Sequence, residues 1–347
     1  MLRCLQLAKN GLGNTYPNPM VGSVVVHKDV IIGEGWHRQA GEPHAEVLAI
    51  NSVKEKHLLK EATIYVSLEP CSHYGKTPPC SDLIIAKGIP KIVVGTVDPF
   101  AEVSGRGIKK LLDAGREVIV GVLDQECQEL NKRFFTFHKK QRPYIILKWA
   151  QTADGFIAPT DETRKDQKPV WITNTTSRQL VHKWRAEEQA ILVGTNTVIA
   201  DNPSLTTREW AGNSPTRIIL DRKRKISKDN AIFDGSTHTL LLTESDKNSS
   251  DSYSVEQIDF NKNVSEQICE VLFRNGLQSV IIEGGAKTLQ SFIDNNLWDE
   301  ARIFKGTTYF NEGVVAPKLK GECISKENIL EDSLEIFKNI TSYKKEL

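Results

Sequence analysis

What this sequence lacks narrows it first. No apolar run approaches the ~18 residues of a membrane helix, and the opening Met1-Leu2-Arg3-Cys4-Leu5-Gln6-Leu7-Ala8-Lys9 holds no continuous apolar stretch of the kind that heads a secretory leader. A cytoplasmic chain with no membrane partner is expected. Neither sign of charge is in excess: 45 Lys plus Arg stand against 44 Asp plus Glu, a formal net charge of +1, so nucleic acid is not an expected partner either. The expected ligand is small. Cysteine is scarce, six in 347 residues, which excludes a disulfide scaffold and leaves metal ligands or buried thiols. There is no internal repeat and no phosphate loop of the G-x-x-x-x-G-K-[ST] type, because the first glycine that Gly75-Lys76-Thr77 would need falls at Pro70.

What is there describes a globular chain. Hydrophobic residues at 39% and charged residues at 26% exclude disorder, collagen and coiled coil, and the length fits two domains. Short apolar runs bounded by Gly and Pro recur in the first half at residues 22–26, 30–33, 62–68, 91–95 and 117–122, with helical stretches starting at Pro43 and running from Pro79 to Lys87. Such runs predict strands covered on both faces in a layered α/β domain. The charged, Pro-stopped Lys139-Lys140-Gln141-Arg142-Pro143 marks a boundary, giving domains 1–142 and 143–347. Strands predicted at 144–149, 190–194, 217–221, 239–243 and 279–283 make the second domain α/β as well, and the polar run from Glu244 to Ser254 reads as a loop.

The first half carries a metal-binding pattern. Pro is favoured at a first helical position, so Pro43 places His44 and Glu46 at a helix start, and Pro79 does the same for Cys80, whose thiol the helix dipole would acidify. Pro70-Cys71 follows the strand ending at Leu68. One imidazole and two thiolates, from His44, Cys71 and Cys80, form the ligand set of a catalytic Zn²⁺ with an open fourth position for water. Glu46 is the matching proton shuttle, as in the H-x-E…P-C-x-x-C pattern of nucleobase deaminases. A closed structural site would need a fourth protein ligand, for which His73 is the nearby candidate.

In the second half, Gly284-Gly285-Ala286 between a strand and a helix suits either a tight turn or a phosphate at the helix start. Arg222-Lys223-Arg224-Lys225 at a strand end is either a solvated loop or a site for a 2′-phosphate, which would favour NADPH over NADH.

Three segments, Thr15-Tyr16-Pro17-Asn18-Pro19-Met20-Val21-Gly22, Gly41-Glu42-Pro43-His44-Ala45-Glu46 and Glu69-Pro70-Cys71 through Pro79-Cys80, resemble the bifunctional deaminase/reductase family of riboflavin biosynthesis. Eight residues separate the two cysteines, where most zinc deaminases have two. The likeness continues in Lys148 to Gly155, Trp171-Ile172-Thr173, Gly194 to Leu205 and Glu283-Gly284-Gly285. It implies a cytidine-deaminase-like three-layer α/β/α domain followed by a dihydrofolate-reductase-like α/β domain. It also implies deamination of 2,5-diamino-6-ribosylamino-4(3H)-pyrimidinone 5′-phosphate and NADPH-dependent reduction of the ribosyl chain to ribityl.

The resemblance places zinc on His44, Cys71 and Cys80, the shuttle at Glu46 and a substrate contact at Asn18. It implies NADPH near Ala150, Trp171, Thr197, Asp201, Arg222 and the stretch Gly285, Ala286, Lys287, Thr288, Leu289, Gln290 and Ser291. Arg185, Leu205, Arg208 and Glu283 would meet the phosphorylated sugar, with Lys148 and Asp154 as candidates for proton delivery and a homo-oligomer as the expected assembly. Leu48, Phe100, Pro169-Val170 and a charged insertion from Thr160 to Lys168 depart from the family pattern. The competing expectation is a zinc deaminase acting on RNA or a free nucleobase, with the second half a non-catalytic binding module.

Overall fold

Strands that alternate with helices and carry near-continuous apolar runs pair in parallel and need cover on both faces. The computed structural model, which describes residues 1–72, 74, 78–100, 104–160, 162, 164, 166–245 and 253–340, realises this twice, in units Met1–Gln141 and Arg142–Leu347.

Among the described residues the first unit carries a five-stranded sheet in the order β2-β1-β3-β4-β5, built from β1 (Gly22–His27), β2 (Val30–Trp36), β3 (Thr63–Leu68), β4 (Lys91–Thr96) and β5 (Glu117–Val120). β3, β4 and β5 run parallel, and β1 is antiparallel to both β2 and β3. The β1–β2 hairpin turns on Lys28 and Asp29, both at positive φ, the backbone twist that two-residue hairpins favour. Alternation along β1 and β3 sends Val25, Ile64 and Val66 into one core with Ile50 of α2 (Ala45–Ser52), Ile84 of α3 (Cys80–Ala86) and Leu111 of α4 (Arg106–Asp113). Val24 and Tyr65 face the other way, against Cys4 and Leu7 of α1 (Leu2–Ala8), and α5 (Asp124–Leu130) and α6 (Lys132–Lys140) complete the unit. Sandwiching on both faces holds for the central strands only: β2 and β5 are edges, with Val30, Ile31, Ile119 and Val120 exposed.

The second unit carries a nine-stranded sheet in the order β11-β10-β9-β8-β12-β6-β13-β16-β15. Its strands are β6 (Tyr144–Gln151), β8 (Ala190–Gly194), β9 (Thr216–Leu220), β10 (Thr239–Thr243), β11 (Tyr253–Gln257), β12 (Ser279–Ile282), β13 (Glu300–Lys305), β15 (Glu322–Ile329) and β16 (Asp332–Lys338), with β7 (Phe156–Ala158) and β14 (Val314–Val315) pairing separately. All are parallel from β11 to β13, and β16 and β15 are antiparallel additions. One face packs on α9 (Val264–Arg274) and α10 (Ala286–Asp294) through Ile268, Leu272, Leu289 and Phe292. The other packs on α7 (Thr175–Glu187) through Val181 and Trp184, and on α8 (Thr195–Asp201) through Val198. β12 lies between β8 and β6, where the strand order reverses, and a parallel sheet opens a ligand crevice beyond its C-terminal edge at such a point.

Two differences from expectation have physical causes. β13, β15 and β16 carry charges that hide them from an apolar count: in β13, Glu300 and Arg302 are buried as a pair at 2.6 Å. The polar run from Glu244 ends in β11, which takes up Tyr253 and Ser254, while 246–252 lie outside the described residues.

Candidate active sites

The first site gathers at the starts of two helices. His44 sits at the N-cap of α2 in extended conformation and Pro79 at that of α3, so both helices begin after the residues expected from proline alone: Ala45 and Cys80 are their first residues. The missing proline N–H is tolerated at the cap as well as inside the first turn. Glu46 then falls in the first turn of α2, while Cys71 follows β3 on the segment Glu69-Pro70-Cys71.

The three expected ligands converge. His44 Nδ1 is 3.5 Å from Cys71 Sγ and 3.4 Å from Cys80 Sγ, and all three ligand atoms lie within 4.8 Å of one another. A tetrahedral zinc with Zn–S of about 2.3 Å and Zn–N of about 2.0 Å requires N···S separations of roughly 3.5 Å, so the donor set and its spacing fit that ion. His73, the alternative fourth ligand, lies outside the described residues, as do Gly75, Lys76 and Thr77.

A hydrogen-bond network joins the two sulfurs and the imidazole. The Cys80 backbone N–H, at the start of α3, donates to Cys71 Sγ at 3.2 Å. The Cys80 thiol beside it is the main influence that holds the Cys71 thiol well below its ordinary range, with His44 and the Cys80 N–H adding to it against burial, and sharing with Cys71 and burial push the Cys80 thiol up. His44 is raised to about 9 by its hydrogen bond with Cys71, and burial pushes the Glu46 carboxyl, 3% exposed, up to about 7. A carboxyl that titrates near neutrality suits proton transfer in both directions.

Asn18 is placed against His37 rather than against the ligands: its Nδ2 lies 3.0 Å from His37 Nε2, and His37 Nδ1 lies 3.3 Å from Pro43 O. His37 is buried, its ring 5.5 Å from that of His44. Of the departures from the family pattern, Leu48 packs over Gly35 of β2 and Phe100 lies 5.1 Å from the His138 ring.

Sequence reasoning passed over Glu69. Its buried carboxylate accepts from the N–H groups of Gly105 and Gly107, both at 2.9 Å, and of Ile108 at 3.3 Å, which fixes the Cys71 segment to the start of α4. The backbones meet so closely that a Cβ on Gly107 would lie 1.9 Å from Pro70 O. Glu69→Gln turns an amide N–H toward those donors, and an unsatisfied buried group costs about 2 kcal/mol. The variant is expected to unfold at lower urea concentration than the parent and to release zinc to a chelator faster. Unchanged urea midpoint and release rate would show that Glu69 does not hold this segment.

The second site lies along the C-terminal edge of the nine-stranded sheet. Arg185 on α7 donates from Nη2 to Glu283 Oε2 at 2.8 Å, and Lys148 Nζ on β6 is 3.9 Å from Glu283 Oε1. The Glu283 side chain is 9% exposed, and burial alone would raise its carboxyl, but Arg185 and Lys148 override that and hold it at about 2. Burial and the nearby Arg185 lower Lys148, and Glu283 opposes them in part. Among the described residues, Glu283 Oε1 and Arg185 Nε are buried without a hydrogen-bond partner, so the cluster has polar capacity left for a ligand.

Arg208 belongs to the same surroundings through α7: its backbone N–H donates to His182 Nδ1 at 3.3 Å, and Arg185 Nη1 reaches Thr206 O at 3.4 Å. Leu205 instead is buried at positive φ in the core with Val193 and Val198. Asp154 is tied down by hydrogen bonds to its carboxylate. Its carboxylate accepts from Thr152 Oγ1, from Phe310 N–H at 3.2 Å and from Asn311 N–H at 2.7 Å, tying two loops together.

Next to this cluster, β8 and β12 end side by side in Gly194 and Glu283-Gly284-Gly285. A Cβ on Gly194 would come 3.1 Å from Thr288 Oγ1, and one on Gly284 would come 2.9 Å from Thr197 Oγ1, so two hydroxyls face bare backbone below the start of α10. Glycines at a strand end before a helix are what the pyrophosphate of a dinucleotide requires, and this cradle fits NADPH. Gly284→Ala is expected to weaken NADPH binding by about tenfold, or 1.4 kcal/mol, in a fluorescence titration; an unchanged dissociation constant would remove the cradle from the coenzyme site.

Within Gly285 to Ser291 the side chains diverge. Leu289 is in the core, Lys287 is exposed, and Gln290 bonds Asp294 and Lys318, while Ala286 opens the helix and Ser291 bonds Thr288 O. Ala150 is the penultimate residue of β6. Trp171 is exposed, with the Arg178 guanidinium 4.6 Å from its ring centroid. Asp201 is paired with Arg164 at 2.6 Å, an arginine from the charged insertion, and Arg222 with Glu244 at 2.6 Å.

Comparison with known proteins finds a family model in each half of the chain. Residues 1–96 match the cytidine and deoxycytidylate deaminase zinc-binding region, and residues 143–310 match the RibD C-terminal domain. The riboflavin biosynthesis protein RibD of Aquifex aeolicus is 40% identical over 351 residues, covering 97% of this chain and 93% of its own. That of Bacillus amyloliquefaciens is 40% identical over 328 residues, covering 92% and 86%. The crystal structure of a diaminohydroxyphosphoribosylaminopyrimidine deaminase/5-amino-6-(5-phosphoribosylamino)uracil reductase from Thermotoga maritima is 40% identical, with a TM-score of 0.85 over 98% of this chain and 97% of that one. A RibD C-terminal domain in the second half takes the place of the binding module that a deaminase acting on RNA would carry. With a zinc-binding deaminase region, a RibD C-terminal domain and near full-length relatives at this identity, the chain belongs to the RibD family of riboflavin biosynthesis proteins.

Proposed function

We propose that the chain catalyses two consecutive steps on one small phosphorylated pyrimidine, deaminating the ring of 2,5-diamino-6-ribosylamino-4(3H)-pyrimidinone 5′-phosphate and then reducing its ribosyl chain to ribityl. Residues 1–142 carry the first step and 143–347 the second. The observation that carries this reading is the convergence of His44, Cys71 and Cys80 beside the buried carboxyl of Glu46. Those three residues hold zinc, which when bound supplies the Lewis acidity that makes water nucleophilic near neutral pH. Glu46 takes a proton from the attacking water and passes it to the amino group, so that a C–O bond forms, the C–N bond breaks and ammonia leaves. Asn18, held by His37, faces the pyrimidine.

In the second unit Arg185 and Arg208 bind the sugar phosphate, Glu283 positions the sugar, and Leu205 shapes the floor from the core. NADPH supplies hydride when bound, between the glycine cradle, Thr197, Ala150, Trp171, Asp201 and Arg222. Lys148, buried and lowered, delivers the proton that completes the reduction.

Six free cysteines support a reducing, cytoplasmic setting, and among the described residues no helix is long and apolar enough to cross a membrane. The family resemblance supports a homo-oligomer, which sedimentation tests. The decisive incubation is purified protein with the pyrimidine substrate, with and without NADPH, following ammonia and coenzyme absorbance separately. Ammonia without NADPH, then oxidation of NADPH added later, is the expected order; NADPH oxidation before any ammonia would reverse it.

A further inference from the structure

Arg222 and Glu244 occupy matching places after neighbouring parallel strands, β9 and β10. Arg222 Nε donates to Glu244 Oε2 at 2.6 Å, the Glu244 N–H donates to Arg222 O at 3.2 Å, and Thr243 Oγ1 donates to the same carbonyl at 3.0 Å. The guanidinium also lies 5.6 Å from the Phe260 ring centroid. The pair is therefore ordered by backbone contacts, yet both side chains remain open to solvent, at 46% and 36% exposure.

A strand end on this edge of a nucleotide-binding sheet is where coenzyme type is read. A carboxylate there accepts from the ribose 2′-OH of NADH, and an arginine there binds the 2′-phosphate of NADPH. This chain has one of each, and they hold one another. The cations Lys223 and Lys225 alongside are exposed.

We propose that Glu244 is a specificity-determining residue for the coenzyme, occupying the Arg222 guanidinium that a 2′-phosphate would take. The phosphate must displace that carboxylate and then sits beside it, whereas an unphosphorylated ribose meets an acceptor. Discrimination between the two coenzymes is thereby smaller than Arg222 alone would give. This rests on Arg222 being the 2′-phosphate anchor of the proposed reductase site.

The test uses the full chain and calorimetric titration with 2′,5′-ADP and 5′-AMP, which differ only in the phosphate at issue. Glu244→Gln is expected to tighten 2′,5′-ADP about three- to tenfold and leave 5′-AMP within a factor of two, from the loss of one screened charge repulsion. Arg222→Gln is expected to bring the two affinities together. If Arg222→Gln does so while Glu244→Gln leaves the ratio unchanged, or shifts both ligands equally, the role of Glu244 is overturned and the anchor stands. If Arg222→Gln leaves the ratio intact, the anchor assignment fails and the role of Glu244 with it.

Discussion

Glu46→Gln is expected to lower ammonia release by about 10²- to 10⁴-fold, the range a positioned general acid and base contributes, while zinc content and NADPH binding stay at parent levels. The amide keeps the shape of the side chain and one acceptor oxygen but cannot take a proton from water or hand one on. Because burial already pushes the Glu46 carboxyl up to about 7, the neutral amide resembles a form that the site accommodates near neutrality, so folding is not expected to suffer. The ligands His44, Cys71 and Cys80 are untouched. Ammonia assay paired with elemental analysis reads both quantities on one sample. Deamination within about tenfold of the parent would remove Glu46 from the chemistry. Loss of zinc together with activity would make it a structural support of the centre instead.

Glu283→Gln is expected to abolish reduction and to destabilise the second unit, with ammonia release unaffected. The Glu283 carboxylate lies between Arg185, at 2.8 Å, and Lys148, at 3.9 Å. Taking one partner from a buried ion cluster leaves its cations uncompensated, at a cost of about 3–5 kcal/mol. The pH dependence follows from the same group. Its folded pKa, about 2, lies below the ordinary 4.5, so the carboxylate stabilises the fold fully above about pH 4.5, and the contribution is lost as pH falls toward 2. The difference corresponds to roughly 3 kcal/mol. Urea unfolding of parent and variant between pH 6 and pH 2.5, following the transition of the second unit, is expected to show a wide gap at pH 6 that narrows with acid. A gap that is constant with pH would mean that Glu283 stabilises by packing rather than by charge.

How much of this was legible in the residues depends on the distance over which each contact acts. The ligand set and Glu46 follow from residues placed at chain landmarks: His44 after Pro43, Cys71 after β3 and Cys80 after Pro79. Central strands such as Ala190–Gly194, buried throughout, announce themselves because a parallel sheet covered on both faces excludes polar residues. Contacts between distant segments leave no such trace. Glu69 is joined to Gly105 and Gly107 across more than thirty positions, and Asp154 to Asn311 across 157. Neither carboxylate differs in sequence from an exposed one. Cys71 is the sulfur held low chiefly by the Cys80 thiol beside it, with His44 and the Cys80 N–H adding to it, contacts made between residues nine and 27 positions apart. In β13, a buried arginine and glutamate cancel each other's charge, a state that an apolar pattern cannot register.

The claim on which the rest depends is that His44, Cys71 and Cys80 hold a metal that deamination requires. Stripping the protein with a chelator, assaying ammonia release without NADPH, and then restoring zinc measures it directly. The account predicts stoichiometric zinc in the untreated protein, ammonia release that disappears with the metal and returns with it, and NADPH binding that does not change. Ammonia release that persists in metal-free protein would contradict it.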